Sequence, residues 1–181
     1  WMPQLVLLAK NVYVWLAQLR QRHGHELTTL DGIPDVELER MAGWGITGLW
    51  LIGVWERSRA SERIKRRMGD EQAVASAYSL EDYRIADALG GEAAYEDLRA
   101  RAWDHGIRIS TDMVPNHMGI DSRWVIEHPD WFLSLAHSPY PAYRFNGPDL
   151  SDDSRIGIFI EDHYWDRSDA AVVFKRVDRE T

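Results

Sequence analysis

Three short apolar segments along the chain have the pattern of β-strands. Residues 47–54 form a nearly continuous apolar run between glycines, which is typical of a strand buried on both faces of a parallel sheet. Residues 107–114 and the β-prone residues 11–16 each predict one further strand. The polar residues 18–25 that follow the first of these segments are expected to run over the surface.

Two segments between the predicted strands have the spacing of amphipathic helices. The first follows Ile33, with Pro34 in its first turn and acidic residues directly afterwards. The second, residues 92–105, is the clearest helix, and Gly106 follows it where a left-handed C-terminal cap is favoured. The apolar stripes consist of Leu38, Met41 and Ala42 in the first helix and of Ala94, Leu98 and Ala102 in the second.

Strands and helices therefore alternate over the earlier part of the chain. This order predicts an α/β fold with a parallel sheet and right-handed crossovers. Residues 118–181 break the alternation, because they show no helical period and prolines interrupt them, so we expect a loop-rich excursion or small subdomain there. Residues 56–68 contain the basic cluster and are expected to be a helical insertion. Its charges form either a solvated face or a patch for an anionic ligand.

The composition excludes several classes of protein. The chain has 181 residues, a net charge of −8 and no cysteine, which rules out disulfides and thiolate metal sites and argues against nucleic-acid binding. No apolar run reaches the roughly 18–20 residues that a membrane span requires, and we recognise no signal peptide. We therefore expect a cytoplasmic protein with no membrane partner. Nine tryptophans and seven tyrosines supply flat apolar faces that suit sugar rings as well as protein cores.

Polar residues at the end of the third predicted strand are the first candidates for chemistry. Asp112, Asn116 and His117 lie at the carboxyl end of this strand, where α/β barrels place their sites. Such side chains can bind hydroxyl groups, orient a substrate or ligate a cation. The alternative interpretation is a strand-end turn with a buried, hydrogen-bonded histidine.

A second group of candidates precedes the long helix. Tyr78, Asp82 and Tyr83 stand before the glycine pair at residues 90–91. Taken alone, both tyrosines are explained as core aromatics and Asp82 is explained as the cap of a turn.

Together, the two groups resemble the α-amylase family, glycoside hydrolase family 13. In that family a Gly-Tyr-Asp-x-x-Asp-Tyr-like segment follows the second barrel strand, and the third strand ends in Asp-x-x-x-Asn-His. The match in this chain extends from Ala77 to His117 at the expected spacing. Residues 11–16 and 49–54 resemble the first and second barrel strands. Residues 127–132 resemble a segment that α-glucosidase and trehalose-synthase-like members carry after the Asn-His pair.

The resemblance implies a domain organisation and a substrate. Residues 1–117 would be the amino-terminal part of a TIM (β/α)8 barrel, with its first three strands, and residues 118–181 would be the start of an inserted domain B. The substrate would be an α-glucoside or α-glucan, with no required cofactor. The carboxy-terminal part of the barrel would be missing from this chain.

The resemblance also implies a role for each matched residue. Tyr78 would stack on the sugar at the point of cleavage, and His117 would form a hydrogen bond to a hydroxyl group of the same sugar. Asp112 would support the catalytic centre, commonly by pairing with an arginine on the next strand. Asn116 would be a ligand of a structural Ca²⁺ ion, a hard cation that prefers oxygen ligands.

Several positions depart from the family pattern. Ala77 and Ser79 replace the Gly and Asp that usually flank the stacking tyrosine, and Ala75 stands where exo-acting members carry an Asp. No segment after His117 resembles a strand ending in Arg-x-Asp, so we expect the two catalytic carboxylates of a retaining glycosidase to be absent. The acidic residues available there, within the inserted region, are Glu161, Asp162, Asp166 and Asp169.

The sequence thus favours the amino-terminal part of a retaining, α-glucan-active glycoside hydrolase or glucosyltransferase, itself inactive. Two alternatives from other classes remain. One is a metal-dependent hydrolase that uses Asp112, Asn116 and His117. The other is a non-catalytic carbohydrate-binding scaffold.

Overall fold

A computed structural model describes residues 2–24, 26–166 and 172–179 of the chain. The helices are α1 (Val12–His23), α2 (Asp35–Gly43), α3 (Ala60–Arg67), α4 (Gly91–Asp104), α5 (Arg123–Glu127) and α6 (His163–Asp166). The strands are β1 (Leu7–Asn11), β2 (Gly48–Ile52), β3 (Trp55–Arg57), β4 (Leu80–Ile85), β5 (Arg108–Thr111), β6 (Ile156–Ile160) and β7 (Phe174–Asp178). Short 3-10 helices cover Met2–Gln4, Asp87–Leu89 and Pro129–Trp131.

The chain forms two compact units. The first comprises Trp1–Glu56 and Tyr83–Pro115, and the second comprises Arg57–Asp82 and Asn116–Thr181. The family resemblance implies a different division, into barrel residues 1–117 and domain B residues 118–181. That division stays a prediction.

A parallel sheet with the order β1-β2-β5 forms the centre of the first unit. Leu8, Leu49 and Ile109 are aligned across the three strands and point to the same face. That face packs on α1, α2 and α4, whose buried residues include Leu16, Leu38 and Leu98. The α/β class and the parallel arrangement predicted from the sequence are therefore confirmed.

The two faces of β2 differ in burial. Leu49 and Leu51 are completely buried, whereas Trp50 and Ile52, which point to the other face, are only half-buried. The expectation that this strand is buried on both faces was wrong for the second face, because the helices of this unit pack against the first. The half-buried face carries Trp50, whose indole N–H contacts Asp112 as described below.

The start of the chain corrects one predicted strand. Residues 11–16 were expected to form a strand, but β1 ends at Asn11 and α1 begins at Val12. The Asn11 side chain accepts a hydrogen bond from the Val14 N–H at 3.3 Å and caps the helix. Val12, Trp15, Leu16 and Leu19 follow at helical spacing and are all buried. This burial outweighs the β-propensity of the valines, and residues 18–23 continue the helix rather than running free over the surface.

The second unit has its own apolar core, formed by Ala60, Ile64, Leu150, Ile156, Ile158 and Ile160. Strands β6 and β7 pair in antiparallel fashion, with Ile158 opposite Arg176. These strands were not predicted from the sequence, although much of residues 118–166 is loop, as expected.

Helix α3 confirms the predicted helical insertion. Ala60 and Ile64 point into the core, while Lys65, Arg66 and Arg67 are exposed. Arg66 forms an ion pair with Glu62 at 2.7 Å.

Among the residues that the structure describes, no helix is both long and apolar enough to cross a membrane.

Candidate functional site

Asp112 is a buried carboxylate that directly follows β5 in the first unit. Its side chain is only 6% exposed. Asp112 Oδ1 accepts a hydrogen bond from the Trp50 indole N–H at 2.9 Å, and Oδ2 accepts one from the Gly53 N–H at 2.7 Å. The Asp112 carbonyl accepts a third bond from the Trp55 indole N–H at 2.8 Å. Three donors from β2 and the residues that follow it therefore fix both the carboxylate and its backbone.

Tyr83 supports the next turn of the same unit. Its hydroxyl oxygen accepts a hydrogen bond from the Val114 N–H at 2.8 Å. Its ring packs edge-on against Trp55, with 5.3 Å between the ring centroids. Tyr83 is therefore partly a packing residue, as one of the two sequence interpretations proposed, and it also holds the backbone two residues after Asp112.

His117 and Tyr78 lie together in the second unit. The His117 Nε2 atom is 3.0 Å from the Tyr78 carbonyl oxygen. A carbonyl oxygen only accepts hydrogen bonds, so Nε2 carries a hydrogen atom. His117 is exposed rather than buried, which contradicts the alternative of a buried histidine at a strand-end turn.

Asn116 contacts the other nitrogen of the same imidazole. Asn116 Oδ1 is 3.1 Å from His117 Nδ1. This pairing requires either a protonated, cationic imidazole or a carboxamide turned to present its NH₂ group, because oxygen and nitrogen of an amide are assigned from such contacts. Both nitrogens of His117 thus have partners, and a bound hydroxyl group has to replace one of them.

Tyr78 presents an aromatic ring to solvent. Its side chain is 48% exposed, and its backbone N–H donates to Ser76 Oγ at 3.3 Å. Within the described part of the chain, the Tyr78 hydroxyl has no hydrogen-bond partner. The position therefore suits an apolar stacking surface more than a core aromatic.

The calcium site expected at Asn116 stays a prediction. Over residues 2–24, 26–166 and 172–179, no group of three or more His, Asp or Glu side chains is placed to hold a metal ion. The Asn116 amide faces His117, and both oxygens of Asp112 accept hydrogen bonds from protein N–H groups. The alternative of a metal-dependent hydrolase that uses Asp112, Asn116 and His117 stays a hypothesis.

Two of the acidic residues singled out after His117, Glu161 and Asp162, have structural partners. Glu161 is completely buried and accepts hydrogen bonds from the His163 imidazole at 2.9 Å and from the Arg144 N–H at 3.2 Å. Burial opposes ionisation of Glu161, but these hydrogen bonds outweigh it, so its pKa lies below the usual value. Asp162 accepts two hydrogen bonds from Asn146, at 2.7 and 2.9 Å. Asp169 lies outside the described residues.

Sequence reasoning missed the donors around Asp112. Trp50 lies 62 residues before Asp112 along the chain, and Gly53 lies 59 residues before it. Only the register of β2 against β5, in which Trp50 is paired with Ser110, brings these groups together. The apolar character of residues 47–54 concealed the role of the Trp50 indole N–H, which donates to the Asp112 carboxylate.

A comparison with models of protein families shows to which family the chain belongs. Residues 13–165 match the family model of the α-amylase catalytic domain. The chain belongs to the α-amylase family. This membership implies that the parallel β1-β2-β5 sheet is part of a TIM barrel.

Individual α-amylase relatives agree with this assignment. The chain is 28% identical over 115 residues to a glucan 1,6-alpha-glucosidase from Streptococcus dysgalactiae subsp. equisimilis, and the match covers 63% of this chain. It is 25% identical over 122 residues, 66% of this chain, to maltase A1 from Drosophila melanogaster. The structure of an α-amylase from Lactobacillus plantarum matches 60% of this chain with a TM-score of 0.50 and 29% identity.

The chain spans only a small part of these α-amylase relatives. The matches cover 19% of the glucosidase, 18% of the maltase and 24% of the L. plantarum structure. The activities and substrates of the complete relatives therefore support only a proposal about this chain.

Proposed function

We propose that the protein containing this chain is a retaining glycoside hydrolase or glucosyltransferase that acts on α-glucosidic bonds. The observation that carries the proposal is the pairing of His117 with Tyr78 at 3.0 Å. The family resemblance assigns these two residues to positions of the α-amylase pattern, and both lie within the matched residues 13–165. The relatives named as glucosidase and maltase support an α-glucoside or α-glucan as the substrate.

Tyr78 and His117 bind the substrate in this proposal. The exposed ring of Tyr78 stacks on the apolar C–H face of a glucosyl ring. His117 gives up its contact with the Tyr78 carbonyl or with Asn116 and forms a hydrogen bond to a sugar hydroxyl group. The exchange of one hydrogen bond for another makes binding sensitive to the orientation of the sugar.

Asp112 supports the catalytic centre of the longer protein in this proposal and does not react. Both of its oxygens accept hydrogen bonds from Trp50 and Gly53, so the carboxylate is held in one orientation. An arginine from a further strand would complete its coordination, as the family resemblance implies. The division into barrel residues 1–117 and inserted residues 118–181 belongs to the same proposal.

The chain of residues 1–181 is expected to have no turnover by itself. A retaining glycosidase needs two carboxyl groups about 5–5.5 Å apart on either side of the scissile bond. Glu161 already accepts a hydrogen bond from His163, and Asp162 already accepts one from Asn146. The described sheet contributes three parallel strands, whereas a complete barrel has eight.

The proposal is tested on the polypeptide encoded by the natural reading frame that contains this chain. The purified protein is incubated with maltose, isomaltose and trehalose, and the anomer first released is identified by NMR. We expect cleavage or transfer with retention of the α-configuration. First release of the β-anomer, or no reaction with any α-glucoside, would disprove the proposal.

The inactivity of the short chain needs its own measurement. Purified 1–181 is assayed with a chromogenic α-glucoside beside the longer polypeptide. Hydrolysis that co-purifies with 1–181 would show that the chain contains its own catalytic carboxylates.

A further inference from the structure

A group of three aromatic side chains in the second unit has one open surface. We call Trp124, His128 and Trp131 the Trp131 platform. The His128 ring stacks on Trp131 with 4.1 Å between centroids and an interplanar angle of 7°. Trp124 meets Trp131 edge-on at 5.5 Å and 89°. Trp131 is nevertheless 58% exposed, which leaves a large part of its ring surface open to solvent.

Hydrogen bonds fix the orientation of the platform. The Trp124 indole N–H donates to Asp82 Oδ1 at 3.1 Å. The backbone N–H of His128 donates to the Trp124 carbonyl at 2.8 Å, and the Trp131 N–H donates to the His128 carbonyl at 3.0 Å. Ser122 caps the start of α5 by accepting from the Val125 N–H at 3.3 Å. A ligand that stacks on a preorganised ring loses little free energy to ordering the protein.

Polar groups at the edge of the platform are available to a ligand. Among the residues described by the structure, none accepts a hydrogen bond from the Trp131 indole N–H or pairs with the His128 imidazole nitrogens. The adjacent Asp130 side chain is exposed as well. An open apolar face with donors and an acceptor at its rim matches a pyranose, whose C–H groups line one face and whose hydroxyl groups point outwards.

Exposure alone does not single out Trp131. Trp103 is equally exposed, at 59%, but the Arg108 guanidinium group lies 4.5 Å from its ring centroid. That tryptophan therefore forms an intramolecular cation–π contact. It provides a matched control in the first unit.

We propose that the Trp131 platform is a second carbohydrate-contact site, which stacks a glucosyl residue of an α-glucan chain on the open face of Trp131. The identity of the sugar rests on the function proposed above. The platform binds in addition to Tyr78 and takes no part in bond cleavage. In a longer glucan, the platform would contact a glucosyl residue that lies away from the bond to be cleaved.

Titration of the 181-residue chain with maltoheptaose tests the platform. Isothermal calorimetry gives the affinity, and ¹⁵N-correlation NMR shows which of the nine tryptophan indole N–H signals move. Trp131→Ala is expected to weaken binding about tenfold, which equals about 1.4 kcal/mol. Trp131→Phe keeps a ring and is expected to stay within about threefold of the original affinity. Trp103→Ala is expected to bind like the original chain.

The outcomes separate the platform from the proposed function. If Trp131→Ala binds as well as the original chain, or if no binding is measured, the platform proposal is wrong, whatever the activity of the longer polypeptide. If Trp131→Ala loses binding but the longer polypeptide cleaves no α-glucoside, the platform stands and the proposed function fails. Equal affinity for a cellooligosaccharide of the same length would overturn the assignment to α-glucans.

Discussion

The indole N–H of Trp50 donates a 2.9 Å hydrogen bond to the carboxylate of Asp112, which lies 62 residues later in the chain. Trp50 lies on β2, and Asp112 follows the neighbouring strand β5. The second carboxylate oxygen accepts from the Gly53 N–H at 2.7 Å. The strand register therefore fixes the carboxyl group of Asp112 at the end of the sheet.

Replacement of Trp50 by Phe should destabilise the protein through Asp112. The variant keeps an aromatic ring but removes one of the two donors to a carboxylate that is 6% exposed. An unsatisfied buried acceptor costs about 1–3 kcal/mol, so we expect a loss of that size in the free energy of unfolding. Urea titration followed by circular dichroism measures it.

Trp44→Phe is the control for this change, since Trp44 is 65% exposed. A substitution at such a surface position should stay within about 0.5 kcal/mol. Equal urea midpoints of unfolding for Trp50→Phe and the original chain would show that the Trp50–Asp112 hydrogen bond does not contribute to stability.

A pair of glycine-to-alanine changes should have opposite effects. A Cβ atom on Gly119 would lie 2.6 Å from Ser58 Oγ and 2.9 Å from the Leu80 carbonyl oxygen. Because the second contact is with backbone, relief requires the chain itself to move. Overpacking of this kind costs about 1–3 kcal/mol or more, and we expect Gly119→Ala to lower the melting temperature.

Gly43 is the matched case, since it is the last residue of α2 and a Cβ there meets nothing within 4 Å. Gly43→Ala should stabilise the helix by up to about 1 kcal/mol. Differential scanning calorimetry of both variants compares them directly. A Gly119→Ala protein that melts no earlier than the original would contradict the crowding at that position.

The part of the fold that could be predicted depends on local pattern. The long apolar run before Val54 predicted β2, and the stripe that includes Leu98 predicted α4, because each signal repeats over several residues. The boundary at Asn11 could not be predicted in this way. One side chain there ends a strand and caps a helix, and the burial of α1 against the sheet outweighs local β-propensity.

The missed strands and site contacts have a different cause. Strands β6 and β7 are stabilised by pairing with each other, with Ile158 opposite Arg176. They were missed although Ile156, Ile158 and Ile160 alternate along β6, because the prolines that interrupt residues 118–181 favoured a loop. The donors of Asp112 likewise come from a distant strand. The family resemblance implied that Tyr78 and His117 bind the same sugar, whereas the 3.0 Å contact between His117 Nε2 and the Tyr78 carbonyl required coordinates.

Glu37 should make the stability of the first unit sensitive to acid. Burial opposes its ionisation, but hydrogen bonds from His23 and Arg22 and the charges of Arg22 and Arg40 outweigh this, so its pKa is lowered from 4.5. A carboxyl group with a lowered folded-state pKa stabilises the protein above its unfolded pKa. That contribution is lost as the pH falls below about 4.5 through the lowered folded-state pKa.

We therefore expect Glu37→Gln to be less stable than the original chain at pH 7, by about 1–3 kcal/mol for a buried, charge-assisted acceptor. The difference should shrink as the pH falls below 4.5, the reference pKa of the group. Glu39→Gln, an exposed position on the same helix, should change little at either pH. Urea titrations across this range measure the effect, and a difference that stays constant with pH would contradict the lowered pKa.

Tyr78 should bind substrate through its ring and not through its hydroxyl group. The side chain is 48% exposed, and within the described ranges its hydroxyl has no hydrogen-bond partner. In the longer polypeptide, Tyr78→Phe should therefore keep kcat/KM within about twofold, whereas Tyr78→Ala should lower it about 10–100-fold, or about 1.4–2.7 kcal/mol of transition-state stabilisation. Steady-state kinetics with maltose measures both.

Tyr140→Ala serves as the control for Tyr78, because Tyr140 is a 59% exposed tyrosine of the same unit. It should leave kcat/KM unchanged. If Tyr78→Phe is as impaired as Tyr78→Ala, the hydroxyl group contacts the substrate and the ring is not the main contact. If Tyr78→Ala is fully active, the sugar does not stack at this position. His117 would then have to bind the substrate without an aromatic partner, although its Nε2 atom contacts the backbone of that same tyrosine.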